Sequence, residues 1–372
     1  MPHIFSDVTP VHSPFTDSWS ANEQAVVFYR LPYATTMKRL VQHTSPRKFN
    51  SLRELPKTDG YVVMPFVITP DCPLVFIEPD IVEEVPLEEP LPYAPEMHKE
   101  SDEAQQRLNY HAAFTSSHGR LTRGELKKVV LSRRLHTSLT VSSTETDSAP
   151  ASLWHKGYEL FLRACHNRPN SYVAFWWTPF TGAWLVATPE PLLERHGDYW
   201  KTVALAGTLP WQEDIVPQWN EKNREEQAIV RRFITAQLED VATDLELSET
   251  YSLHTGNIQH LCTDFHFRLN AHQDIGNILM RLHPTPAVCG LPREEARQAI
   301  LCDETSPRRY YAGFSGPLHL MNETHLFVSL RCMEFTPDTA TLYAGGGLMP
   351  ESDETEEWEE TCRKMQTMWQ LL

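Results

Sequence analysis

Near the carboxyl end of the chain the run EEWEETCRK, Glu356 to Lys364, crowds four glutamates against a tryptophan and two basic residues. Carboxylates at this density either solvate a helix or hold a hard cation through oxygen ligands. At ~100° per residue, Glu356, Glu359, Arg363 and Gln366 share one polar face, and Trp358, Cys362, Met365 and Trp369 form an apolar stripe. Glu357, Glu360 and Lys364 fall on the other flank of that stripe, where an interior or a cleft belongs. An earlier segment repeats the pattern more sharply: Glu226, Ile229, Val230 and Phe233 are spaced i, i+3, i+4, i+7, so Glu226 lies in the middle of a buried stripe. A lone carboxylate out of water costs several kcal/mol unless paired or metal-bound. Two readings stand: the two helices each turn a glutamate towards one cation, or Glu226 pairs with an arginine and Glu357 and Glu360 are exposed.

The elements that must carry these groups are two long helices, around 217 to 242 and 353 to 371. Strand-like pieces include QAVVFYRLP, GYVVMPFVITP, LKKVVLSRRL, YVAFWW and AWLVAT, with a helix at 153 to 166 and a polar helical segment at about 97 to 117. Residues 78 to 96, acidic and proline-rich, read as a surface connection, and the Ser/Thr-rich stretch 137 to 151 as an exposed loop. In ATPEPLL, Thr188, Pro189 and Glu190 have the form of a helix start. The glycines of YAGGG read as a loop whose N–H groups can approach an anion, or as a plain tight turn. Strands and helices mix without a β-α-β rhythm, which favours α+β.

A chain of 372 residues can bury a large core, and its net charge of -16 argues against a nucleic-acid surface. An anionic ligand then needs local cations or a metal. Seven dispersed cysteines without a C-x-x-C pair fit reduced thiols, and neither a signal peptide nor a membrane-length apolar run is evident. A cytoplasmic chain is expected, with no membrane partner; nothing in it demands an oligomer, so a monomer is expected.

Nine segments occur in one order: KVVLSR (128 to 133), ATPE (187 to 190), ALAGT (204 to 208), NIQHL (257 to 261), LHPTPAV (282 to 288), RRYYAGFSG (308 to 316), VSLR (328 to 331), YAGGG (343 to 347) and EEWEETCRK. The series resembles the chorismate-utilising enzymes: isochorismate and salicylate synthases, anthranilate synthase large subunits and aminodeoxychorismate synthases. It runs from about residue 125 to the end; the first 120 residues carry no recognisable motif, and residues 121–372 form the catalytic region of one integrated domain. The resemblance implies an α+β fold with two large antiparallel sheets packed between helices, and a cleft that binds Mg²⁺ and chorismate, a dicarboxylate. On the matching positions Glu226 and Glu360 would ligate the metal, with Glu357 acting through water. Arg331 would grip a substrate carboxylate bidentately, assisted by Lys364, Tyr311 and the amides around Gly207, Thr208 and Gly345.

Three positions sort members of this family. Lys128 shares a strand face with Val130 and Ser132 and, taken alone, is an edge-strand lysine. Here it is similar to the base that activates water in isochorismate and salicylate synthases, and it implies no obligatory glutaminase subunit. Such a base needs its pKa brought down to about 7–8. Glu190 would be the acid that protonates the departing 4-hydroxyl. Ala206 stands where aminodeoxychorismate synthases commonly carry a nucleophilic lysine, and Ala287 with Val288 resembles the isochorismate synthase form of the HPTPA segment. His260 is expected near the substrate ring, although a lone histidine is as easily a core residue. Asn223, Gln227 and Cys289 depart from the usual acidic residue, histidine and glycine. The resemblance implies an isochorismate synthase feeding menaquinone or siderophore synthesis, with a salicylate synthase or a non-catalytic chorismate binder as alternatives.

Overall fold

The computed structural model describes residues 23–91, 103–139, 149–255, 258–270 and 273–372. Most of the Ser/Thr-rich loop, residues 97–102 of the polar helix, 92–96 of the acidic connection, Asn257 and the amino terminus lie outside the described residues. Six helices are described: α1 Glu103–Thr122, α2 Ala149–Asn167, α3 Glu221–Leu238, α4 Ile275–Leu282, α5 Arg293–Asp303 and α6 Glu354–Trp369.

The strands make two large antiparallel sheets. One has nine strands, with Lys128–Ser138 next to Thr339–Leu348, then Cys332–Phe335, Gly182–Thr188, Tyr172–Thr178 and Ala25–Arg30. The other has ten, nine of them on its main path, including Ile258–Leu269, Tyr199–Pro210, Pro191–His196, Thr324–Val328, Phe314–Leu318 and Gly60–Met64 in that order. Central strands such as AVVFYR and YVAFWWT are apolar almost throughout because both of their faces are covered. The sheets meet over a shared core in which Tyr172 stacks on Phe327 with ring centroids 4.2 Å apart, and the Tyr61 and Tyr172 hydroxyls lie 2.8 Å apart. On the far face of the nine-stranded sheet, Trp154, Tyr158 and Phe161 of α2 and Met365 and Met368 of α6 join one apolar cluster with Phe28 and Phe175. Residues 25 to 86 extend both sheets at one end, three strands to each.

Three expectations change. Residues 81 to 86 of the acidic connection form the edge strand Ile81–Pro86, paired with Thr36–Gln42. Its Glu83 and Glu84 point to opposite faces of the strand and pair with Arg39 and Lys38 of the neighbouring strand (2.8 and 2.5 Å), so the acidic run is satisfied by cross-strand ion pairs. ATPEPLL starts no helix. Thr188 ends one strand, Pro191 opens the next, and Leu192 and Leu193 are buried, which a strand leading into the core requires. Gly345, Gly346 and Gly347 are not a loop or a turn; they lie inside the strand Thr339–Leu348, in register with Ser132, Leu131 and Val130.

Candidate active site

The chain passes between the two sheets at two neighbouring links. One is Pro189-Glu190, between Gly182–Thr188 and Pro191–His196; the other is Ser329-Leu330-Arg331, between Thr324–Val328 and Cys332–Phe335. The links are tied together, Val328 N–H donating to Glu190 C=O (3.0 Å) and Ala187 N–H to Arg331 C=O (3.1 Å). Both side chains are buried and line one narrow cleft. Gly207, Thr208, Glu226, His260, Ala287, Tyr311, Gly345 and Lys364 line it too. Lys128, Glu357 and Glu360 stand behind this wall, each in contact with a residue on or next to it.

The local sequence explains several of these placements. Gly207 has φ +74° and sits at an irregularity where Tyr199–Pro210 slips register against Ile258–Leu269. A Cβ there would meet the Asn223 backbone at 3.1 Å, in a conformation that glycine tolerates. The bulge turns the Gly207 carbonyl to His260 Nδ1 (2.8 Å), and the other ring nitrogen, Nε2, lies 2.7 Å from an Arg331 amine. This pattern assigns a neutral imidazole with its proton on Nδ1. Burial, then Arg331 and Lys364, pushes His260 well below its ordinary range, consistent with that form. Arg331 also donates to Thr255 Oγ1 (2.8 Å). His260 therefore orients the arginine as well as lining the cleft.

Burial raises the Glu190 carboxyl to about 7, against the opposing pull of Lys128, Arg331 and Lys364. Lys128 is wholly buried rather than at a sheet edge, because Gly290–Leu291 pairs along its outer side. Its Nζ lies 3.0 Å from Glu226 Oε1, but no hydrogen bond is aligned, which leaves a buried ammonium without a hydrogen-bond acceptor among the described residues.

Helix α6 keeps the faces that its spacing predicts: Glu356 and Glu359 are exposed, Glu357 is buried and Glu360 half-buried. Glu226 pairs with a lysine, not an arginine, and Glu357 and Glu360 are not exposed. The strand glycines leave room for these carboxylates. A Cβ on Gly347 would lie 2.1 Å from Glu226 Oε1, and one on Gly346 would lie 2.9 Å from Glu357 Oε2 and 3.5 Å from Glu360 Oε1. Each carboxylate has a lysine partner: Lys128 for Glu226, Lys222 for Glu357 (2.5 Å) and Lys364 for Glu360 (2.7 Å). Glu357 is pushed well up by burial and by Glu360, a strain that a cation would relieve. The three ligand oxygens do not all lie within 4.8 Å of one another. An all-oxygen donor set beside side-chain-free backbone suits a hard divalent ion, which would share these carboxylates with their lysine partners. Lys364 also donates to Gly345 C=O (2.9 Å). That carbonyl therefore points away from the paired strand, and the Gly345 N–H points the same way.

Several positioning residues give no sequence signal of their own. Arg308 is buried and donates to Val288 C=O, Val130 C=O and Glu304, while Glu304 accepts from Ser132 N–H, binding the HPTPA segment to the strand that carries Lys128. Lys222, which pairs with Glu357, and Thr255, which accepts from Arg331, are others, and neither lies in one of the nine segments. The departures from the family pattern are absorbed locally. Asn223 Oδ1 accepts from Thr208 N–H (3.4 Å), Gln227 donates to Ala204 C=O and Thr263, and Cys289 C=O accepts from Val130 N–H (2.7 Å).

The molecule is a two-sheet α+β fold in which an acid, a lysine and an arginine line one glycine-walled cleft. The chain belongs to the chorismate binding enzyme family, whose model matches residues 78–372. It is 32% identical to isochorismate synthase MenF of Escherichia coli strain K12 over 262 residues, 68% of this chain and 57% of that protein. It is 30% identical to isochorismate synthase EntC of the same strain over 196 residues, half of each. The chain thus matches about half the length of these curated relatives. Its fold superposes on the crystal structure of DhbC from Bacillus anthracis with a TM-score of 0.76 at 24% identity, covering 96% of this chain and 97% of that one. No described helix is long and apolar enough to cross a membrane.

Proposed function

We propose that the chain is a Mg²⁺-dependent isochorismate synthase, adding water to C2 of chorismate with loss of the 4-hydroxyl. One observation carries the reading: a buried carboxyl that keeps its proton to about 7 lines the cleft, and a buried lysine lacking an aligned acceptor stands behind the cleft wall against Glu226. A proton donor and a proton acceptor brought to one site are what this exchange needs. The names of the curated relatives support the same assignment.

Arg331, held by His260 and Thr255, grips one substrate carboxylate, assisted by the Gly345 amide, Thr208 and Tyr311. Lys128 takes a proton from the attacking water, and hydroxide adds at C2. The two ring double bonds shift, and the 4-hydroxyl leaves as water with the proton of Glu190. Passing the proton from Lys128 back to Glu190 resets the site. Ala206 offers no amine, which leaves water as the nucleophile. A Mg²⁺ held by Glu226 and Glu360, with Glu357 acting through water, would bind a substrate carboxylate and screen its charge. Because substrate and product are isomers the reaction runs both ways, and a consuming step must draw the product on, towards menaquinone or a siderophore. We read the chain as a cytoplasmic monomer that needs no glutaminase subunit.

Product analysis tests this: purified protein with chorismate and Mg²⁺, resolved by chromatography beside an EDTA-treated sample. Isochorismate with Mg²⁺ and none with EDTA is the expected result. Salicylate plus pyruvate as the main product would move the assignment to a salicylate synthase. Unchanged chorismate in both samples would leave a binding protein.

A further inference from the structure

We propose a second metal site, for a borderline transition ion such as Zn²⁺, built from Glu194, His196 and His325 on the neighbouring strands Pro191–His196 and Thr324–Val328. Glu194 and His325 are direct register partners. Glu194 and His196, two residues apart, project from the same face of their strand. Their ligand atoms and those of His325 all lie within 4.8 Å of one another, the only such trio of His, Cys, Asp or Glu among the described residues.

The details match a zinc centre. His325 is buried, and its Nδ1 stands 3.1 Å from Glu194 Oε1, while its Nε2 stands 3.2 Å from Glu323 Oε2. Nδ1 and Oε1 are hydrogen-bonded, and tetrahedral zinc with bonds of about 2.0–2.1 Å sets its donors roughly 3.3 Å apart, so an ion replacing the proton between them would need little movement. Glu323 on the opposite ring nitrogen completes the carboxylate–histidine arrangement that fixes the tautomer of a ligating imidazole. The His196 ring lies against that of His325 at a centroid distance of 4.9 Å and is exposed, so it can swing onto an incoming ion. Lys201, the register partner of Glu194 on its other side, has its ammonium 3.1 Å from Asp264, and no lysine or arginine within the described residues pairs with Glu194. Glu194, His196 and His325 line a surface recess, which provides an entry path.

Two imidazoles and one carboxylate select a borderline ion over Mg²⁺, which prefers oxygen alone. The site is therefore chemically distinct from the glutamate cluster of the cleft. The proposal holds whatever reaction that cleft performs. A bound ion would clamp the two strands that lead from Glu190 and towards Arg331.

Calorimetric titration of tag-free, EDTA-stripped protein with ZnSO₄ in saturating Mg²⁺ tests it. One equivalent should bind, and His196→Ala, an exposed change, should weaken binding about 10-fold or more while the circular dichroism spectrum is unchanged. Glu323→Gln should weaken it roughly 10–100-fold, and Cys302→Ser should leave it intact. The proposal is overturned if no stoichiometric binding occurs, if His196→Ala binds as well as the parent, or if Glu360→Gln is the change that removes it.

Discussion

Glu190 and Arg331 occupy two neighbouring links among those that carry the chain between its sheets, and these links are hydrogen-bonded to each other through Val328 N–H and Arg331 C=O. The acid and the anion-binding arginine are therefore fixed by one backbone ladder, although they are far apart in sequence.

The pH dependence follows from Glu190. Its carboxyl is raised to about 7 by burial, so the proton-donating form is lost as pH rises through that value. kcat/KM should fall on the alkaline side with an apparent pKa near 7, and a flat profile between pH 6 and 8 would reject Glu190 as the acid. Glu190→Gln should cost about 10²–10⁴-fold in turnover. The sign for stability is opposite to that of a salt-bridged carboxylate. A raised folded pKa means that stability is full below the unfolded value of 4.5 and is lost as pH rises through about 7. Glu190→Gln should therefore melt higher than the parent at pH 8, with the gap closing in acid.

Lys128→Ala should abolish water addition and leave secondary structure intact. It also strands Glu226 beside an empty space, and breaking a buried pair costs about 3–5 kcal/mol. Melting in EDTA should drop accordingly, with Mg²⁺ restoring part of the loss. Normal turnover would remove Lys128 from the mechanism.

Gly347→Ala puts a methyl 2.1 Å from Glu226 Oε1 and 3.0 Å from Lys128 Cε. Overpacking of this kind costs roughly 1–3 kcal/mol, and turnover should fall with displacement of the Glu226 carboxylate. Parent-like kinetics would mean that the cleft has slack the structure does not show.

Glu360→Gln should raise the Mg²⁺ concentration for half-maximal turnover about 10-fold or more, since one ionic ligand is lost. A matching titration curve for parent and variant would return Glu360 to a role in holding Lys364 alone.

Arg331→Lys keeps the charge but loses the fork that His260 and Thr255 orient. KM for chorismate should rise more than kcat falls. A fall in kcat with KM unchanged would show that the arginine acts chiefly in the transition state.

Much of this was legible along the chain because periodicity and local chemistry are one-dimensional. The α6 faces follow from a rotation of ~100° per residue, and Glu226 was marked by standing in an apolar stripe. The order of nine short motifs pointed to the family and to the two-sheet fold. Local patterns failed where a partner strand overrode them. Thr188-Pro189-Glu190 has helix-start chemistry, yet burial of Leu192 and Leu193 between neighbouring strands makes it an inter-sheet link. The triple glycine suggested a turn, yet ten register pairs hold its strand against Lys128–Ser138. Only the folded chain decided that these glycines vacate space for Glu226, Glu357 and Glu360, that His260 holds Arg331, and that Glu190 keeps its proton. Each of those depends on desolvation and on contacts between residues remote in sequence, which no local spacing encodes.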